Sequence, residues 1–364
     1  MSTLAIEVRR HLERGERIPS PLRTDGGVGI VYSGVADRVE LRILEDRFPE
    51  MPPMRKVRGR DIWYQEVPIS PTGRIEYKLG VVAERRLHLI TDPRNPDHAL
   101  NPFGANSVAT GSEYAPPAWF RAVHAAGGHH PATRAFPIHS SVFGDTRRHR
   151  VYFPPGFDPG HTHDLLLVHD GGDYVAYADL LRFLDHAISS GEIPPAIAVL
   201  LEPADRLAEY ADDPEHTAHL VDEVLPAVRR RFGVRRVAAL GVSLGGVASL
   251  AAAVRRPGTI DVVVAQSGSF VTALGGRFRR GPVLGPVTRF MHWLLREQPP
   301  LPGRLALSCG TYDGLVEDTR AFVDHLATLP VDLRYAESDA GHHWHCWRDH
   351  LASDLGHALA ETPR

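Results

Sequence analysis

A serine set between glycines, Gly241-Val242-Ser243-Leu244-Gly245-Gly246, has the spacing of a nucleophile carried on a tight strand-to-helix turn. Side chains flanking such a turn collide with neighbouring chain, and glycine at 241 and 245 removes them. A serine hydroxyl is a poor nucleophile at neutral pH until a histidine takes its proton, and that histidine needs an acid to fix its tautomer. Both are expected downstream, in the order nucleophile, acid, histidine. Asp313 follows the apolar run 304–308 through Cys309-Gly-Thr-Tyr312, where the acid should lie. Glu317 is its rival, although that position also suits a carboxylate favoured by a helix N-terminus. For the base, His342 directly follows Gly341, which permits the turn that aims an imidazole back toward Ser243, while His343, His345 and His350 compete with it. The same cluster invites a metal reading. Its spacing does not match a dinuclear hydrolase and no second ligand cluster appears, so neither a metal nor a cofactor is called for.

Acyl transfer also needs hydrogen-bond donors where the oxyanion forms. The amide of Leu244 is one candidate, and Gly172 or Asp173, in His169-Asp-Gly-Gly-Asp-Tyr174, offers the other. These residues need strands to present them. Residues 148–154, 164–168, 196–201, 234–240, 261–266, 304–308 and 331–335 read as short, mostly apolar strands, and helical patterns at 177–189, 215–232, 246–254, 318–329 and 347–359 fall between them. Continuous apolar strands with helical crossovers predict a mostly parallel sheet covered on both faces, and with the serine elbow this is the α/β-hydrolase fold.

Upstream the pattern changes. Residues 27–33, 39–44, 62–68 and 74–80 show alternation or short apolar runs bounded by turn residues, which predicts an all-β sandwich preceded by a short amphipathic helix over 3–14. The expected organisation is a β domain over 1–120, a Pro- and Gly-rich linker over 121–135 and a catalytic domain over 136–364.

Composition narrows the partners. The 364-residue chain is 43% hydrophobic and 23% charged, and a formal charge of -3 argues against a nucleic-acid partner. Its start lacks a basic stretch leading into an apolar core, and no apolar run approaches a membrane span, so the expectation is a cytoplasmic protein with no membrane partner. Cys309 and Cys346 are expected as buried thiols. The expected partner is a small-molecule ester.

The assembled motifs resemble the enterochelin (enterobactin) esterases, ferric-siderophore trilactone hydrolases related to esterase D and the feruloyl esterases. The resemblance runs through the serine elbow, His169-Asp-Gly-Gly-Asp-Tyr174, Asp205-Arg-Leu-Ala-Glu-Tyr210 leading to Glu223-Val-Leu-Pro226, Gln266-Ser-Gly-Ser-Phe270, and Ala340-Gly-His-His-Trp-His-Cys-Trp-Arg348. The last is similar to the family pattern G-G-H-x-W-x-x-W-R, with Ala340 in place of the first glycine, and picks out His342. Asp92-Pro-Arg-Asn-Pro96 and Asn101-Pro-Phe103 resemble the end of the immunoglobulin-like early-set domain that precedes the hydrolase in these esterases. The resemblance implies hydrolysis of a cyclic trilactone with catecholate arms, releasing iron. Arg206 and Tyr210 are then the candidate substrate-binding residues for an anionic, aromatic ligand. A general or feruloyl-type carboxylesterase is the alternative within enzymes. From another class comes a glucan-binding or scaffold protein with an inert hydrolase domain, against which stands the lack of an evident exposed tryptophan pair in the β region.

Overall fold

The computed structural model describes residues 3–24, 26–48, 51–127, 131–275 and 280–361. The chain divides into two compact units, and the first is discontinuous: it comprises Met1–Ala115 with two short returns, Gly310–Gly314 and Ser338–His343. The second holds Pro116–Cys309, Leu315–Glu337 and Trp344–Arg364. The division therefore falls at 115/116, ahead of the expected linker. Within that linker residues 121–125 belong to a helix that begins at 118 and 133–135 are already strand, while 128–130 lie outside the described residues.

In the first unit, helix α1 (Thr3–Glu13) is followed by β1 (Leu22–Thr24), β2 (Gly27–Ser33), β3 (Arg38–Ile43), β4 (Arg55–Lys56), β5 (Ile62–Val67), β6 (Arg74–Ala83), β7 (Arg86–Ile90), β8 (His98–Asn101) and β9 (Gly104–Thr110). They form two antiparallel sheets, one ordered β1-β2-β5-β4 and the other β3-β6-β9-β8 with β7 beside β6. Alternation explains how the sheets meet. Val28, Ile30, Trp63 and Val67 of one pack with Val39, Leu41, Ile75, Tyr77 and Leu79 of the other, as in a sandwich. Val31, on the opposite face of β2, is covered by Leu4 and Val8 of α1, so β2 is buried on both sides.

The second unit contains α2 (Ala118–Ala125), β10 (Thr133–Ser140), β11 (Asp145–Tyr152), β12 (Thr162–Val168), α3 (Gly171–Tyr177), α4 (Leu180–Ser189), β13 (Ala196–Leu200), α5 (Arg206–Glu209), α6 (Pro214–Ala218), α7 (Leu225–Arg229), β14 (Gly233–Val242), α8 (Leu244–Arg255), β15 (Val262–Gln266), α9 (Gly285–Glu297), β16 (Arg304–Gly310), α10 (Val316–Leu326), β17 (Asp332–Ser338) and α11 (Trp344–Leu359). A π-helical stretch, His219–Val224, joins α6 to α7. One eight-stranded sheet runs β10-β11-β13-β12-β14-β15-β16-β17. Its first two pairings are antiparallel, and those linking β13, β12, β14, β15 and β16 are parallel. Leu165 and Leu167 of β12 join Val237 and Ala239 of β14 in one core with α8, while the alternate residues Leu166, Val168, Ala238 and Leu240 are equally buried on the other face. Both faces are covered, as the apolar strands require. This mixed α/β sheet fits the α/β-hydrolase architecture. Cys309 and Cys346 are both buried. Among the described residues no helix is long and apolar enough to cross a membrane.

Candidate active site

Strand β14 runs directly into α8, and Ser243 is the residue between them. Its backbone sits at φ 55°, ψ -119°, a region that an L-residue enters at a cost of about 1–3 kcal/mol. Three hydrogen bonds hold it there: Ser243 N–H donates to Gln266 O (3.0 Å), and Ser243 O accepts from Gly246 (3.1 Å) and Ser269 (3.1 Å). Gly241 is required by close approach, since a Cβ there would stand 2.2 Å from the backbone C and O of Gly245. Gly245 is less constrained, its Cβ meeting the His169 Cβ at 3.1 Å. Below the turn, Gln266 accepts from Tyr174 Oη (2.8 Å) and donates to Trp347 O (2.9 Å) and Asp354 (2.9 Å), a carboxylate that also takes the Ser308 hydroxyl (2.7 Å). This buried network ties β15, β16, α3 and α11 under the serine. Ser243 is half-buried, with its hydroxyl 3.2 Å from that of Ser269.

In the first unit His342 Nδ1 lies 2.8 Å from Asp313 Oδ2, and the acid is wholly buried. With Nδ1–H donating to the carboxylate, Nε2 is left as the lone-pair nitrogen, the tautomer a general base needs. The rival acid Glu317 is exposed in the first turn of α10 and pairs with Arg320. His343 stands 3.7 Å from both Glu45 and Glu76, whereas His345 and His350 belong to α11. Among the described residues no group of three or more His, Cys, Asp or Glu side chains could hold a metal ion.

The candidate oxyanion donors are Leu244, the first residue of α8, and Gly172 and Asp173 in the first turn of α3. First-turn amides have no acceptor within their own helix, so they are available to an anion. Asp170, just before α3, adopts a left-handed conformation at φ 54°. Arg206 grips it, Nε donating to Oδ1 (2.8 Å) and Nη2 to Oδ2 (2.7 Å), and Nη2 also reaches Val242 O at 3.4 Å. Tyr210, expected to meet substrate, is instead wholly buried. Its hydroxyl accepts the Asp170 N–H at 3.2 Å, which makes it packing beneath this ion pair and leaves it no surface for a ligand. Asp173 is held above the usual carboxylate range, first by burial and then by Asp170 and Glu202.

Sequence reasoning missed the residues behind the loop. His169 Nδ1 is 2.9 Å from Ser249 Oγ, whose own hydrogen is given to Gly245 O, so the imidazole carries its proton on Nδ1. Its Nε2 faces His216 Nε2 at 3.0 Å. A second pair, His149 and His219, repeats the contact at 3.0 Å; His149 Nδ1 accepts the Glu202 N–H, and His219 Nδ1 donates to Glu223. Burial pushes His169 well below its ordinary value and His149 down to about 3. Only the number of histidines hinted at such pairs.

A family model, described as Putative esterase, matches residues 140–358. No curated protein sequence matches the chain. Among solved structures, the chain is similar to the enterobactin esterase of Shigella flexneri determined in the presence of enterobactin, with a TM-score of 0.72 at 20% identity over 92% of this chain and 94% of that one. It is similar to the ferric enterobactin esterase of Salmonella typhimurium, with a TM-score of 0.74 at 20% identity over 95% of this chain and 98% of that one. A ferulic acid esterase gives 0.50 at 18% identity, covering 63% of this chain and 97% of its own.

Proposed function

The chain belongs to the Esterase family and is a carboxylic ester hydrolase, and from that premise we propose that it cleaves the ester bonds of a catecholate siderophore trilactone through Ser243, His342 and Asp313. Ser243 attacks the ester carbonyl while His342 Nε2 takes its proton. The amides of Leu244 and of Gly172 or Asp173 hold the oxyanion. Collapse expels the alcohol, which His342 protonates, and water then enters by the same route in reverse to release the acid. Asp313 keeps the imidazole in the competent tautomer and stabilises the imidazolium. The observation that carries this reading is the strained conformation of Ser243, held at the head of a helix by three backbone hydrogen bonds, together with the buried Asp313 carboxylate on His342 Nδ1.

The choice of a trilactone is supported by extent. The likeness to the enterobactin esterases runs over nearly the whole chain, first unit included, whereas the ferulic acid esterase covers less than two thirds of it. In this reading the first unit is an immunoglobulin-like early-set domain and the enzyme works on siderophore inside the cell, liberating iron. Arg206 offers positive charge at the loop carrying Gly172, with its guanidinium partly committed to Asp170. The test is hydrolysis of enterobactin, with and without iron, beside p-nitrophenyl acetate and methyl ferulate, using wild type and Ser243→Ala. Trilactone cleavage that vanishes in the variant supports the proposal. Turnover of the simple esters alone would make the protein a general or feruloyl-type carboxylesterase.

A further inference from the structure

The two returns of chain in the first unit carry Asp313 and His342, and each is held by residues of its β strands and loops. Asp339, three residues before His342, accepts the Ser70 and Thr72 hydroxyls on Oδ2, both at 2.7 Å, and the Thr311 hydroxyl on Oδ1 at 3.0 Å. Its carbonyl accepts the Arg74 N–H at 2.8 Å. These hydroxyls, Ser70 first, hold its carboxyl below the usual range. On the acid side, Tyr312 gives its carbonyl to Arg47 N–H (3.1 Å), takes Ser70 N–H on its hydroxyl (3.2 Å) and meets the ring of Phe48 edge to face. Tyr312 N–H donates to Ala340 O at 3.0 Å, so the two returns are also tied to one another. Gly341 is seated so closely on Glu45 that a Cβ there would lie 2.3 Å from its Cγ.

A carboxylate that collects three hydroxyl donors from two stretches of chain far apart in sequence fixes the backbone around it more strongly than a turn needs. His342 is half-buried and its Nδ1 is held by Asp313, so the aim of the ring is set by the two backbone segments that carry this pair. We propose that Asp339 is a positioning residue for the hydrolysis: through Ser70, Thr72 and Thr311 the β unit sets the aim of the His342 imidazole against Asp313. The inference rests on the reading of His342 as the general base. It assigns the 70–74 segment of the first unit a part in the chemical step through the backbone that carries His342.

The experiment is steady-state hydrolysis of p-nitrophenyl acetate by the full-length chain, with wild type, Asp339→Ala, Asp339→Asn, and Ser70→Ala combined with Thr72→Val. Ser243→Ala and His342→Ala are assayed beside them. A misaimed base lowers kcat and spares KM, so Asp339→Ala and the double variant should lose on the order of tenfold to a hundredfold in kcat with KM little changed. Asp339→Asn keeps an acceptor oxygen for the hydroxyls and should recover most of the loss. The downfield imidazole proton of the His342–Asp313 bond, followed by NMR, should broaden or shift in Asp339→Ala and return in Asp339→Asn. A circular dichroism melt reports the folded fraction, and kcat is counted per folded molecule. Wild-type kcat and an unmoved proton signal in folded Asp339→Ala would overturn the inference while leaving the triad intact. Retained turnover in Ser243→Ala or His342→Ala would instead overturn the triad, and the inference with it.

Discussion

His342 Nδ1 and Asp313 Oδ2 are 2.8 Å apart, and the carboxylate of this pair has no solvent-exposed surface. A buried anion on the imidazole is worth most when the ring becomes positively charged, during proton transfer from the serine.

Asp313→Asn should therefore lower kcat by on the order of 10⁴ by presenting the wrong hydrogen-bonding partner to Nδ1. Glu317→Gln, an exposed change in a surface ion pair, should stay within about twofold of wild type. Steady-state kinetics on one ester decides between them, and the opposite ranking would move the acid to Glu317.

Gly241→Ala tests the turn itself. Its methyl has backbone rather than flexible side chain in its way, so β14 and α8 must separate. The expected result is activity below a hundredth of wild type with a lowered melting temperature. Gly191→Ala, at a turn with open space around its Cβ but a φ of +77°, should cost only about 1 kcal/mol and leave kcat alone.

Arg206→Lys separates holding a loop from holding a ligand. Lysine keeps the charge but not the two-pronged grip on Asp170. A loosened Gly172 loop predicts a fall in kcat with KM near wild type. A rise in KM alone would make Arg206 a direct substrate contact.

The paired histidines make stability depend on acid. Across each Nε2 to Nε2 contact one ring donates and the other accepts, so a further proton places two donors face to face. His149, His169 and His219 have folded values lowered by burial, and the unfolded chain takes up protons near 6.5 that the native state refuses. Stability from this cluster is complete above pH 6.5. It is lost as pH falls toward the folded values, by about 1.4 kcal/mol per pH unit for each histidine. Glu209 and Glu223, held down to about 2, extend the loss below pH 4.5, while Arg147 stays paired with Glu209. Urea unfolding between pH 8 and 5 should show a plateau followed by a steep decline. A flat profile through pH 5 would show that the pairs open without cost.

Period and punctuation were enough to read much of this fold from sequence. Alternation marked β2 and β5, and unbroken apolar runs marked β12, β13 and β15 because both faces of those strands are covered. Strand β10 escaped because only Phe136, Ile138 and Ser140 face inward, and Pro137 and the Gly-rich stretch before it read as connector. Helix α9 carries Val287, Phe290, Met291 and Leu294 at helical spacing but opens on Gly-Pro, a pair that reads as a turn. The stretch 215–232 was legible as helix but not as a π-helix; Pro226, lacking an N–H, cannot extend the regular ladder there. For the site, Ser243 stood out because the strained turn needs glycine nearby, a local demand written into local sequence. Tyr210 was misjudged because burial depends on what packs over it. The assignment of 310–314 and 338–343 to the first unit depends on partners more than two hundred residues away, and no window of sequence holds both.

That discontinuity bears on how the protein is made. Residues 1–115 are synthesised first, yet the segments that complete this unit, 310–314 and 338–343, emerge only after the intervening stretch of the second unit. A chain truncated before residue 338 lacks Asp339 and His342, and so has neither the carboxylate that collects the Ser70 and Thr72 hydroxyls nor the partner of Asp313. Completion of the β unit thus depends on residues made long after its own strands.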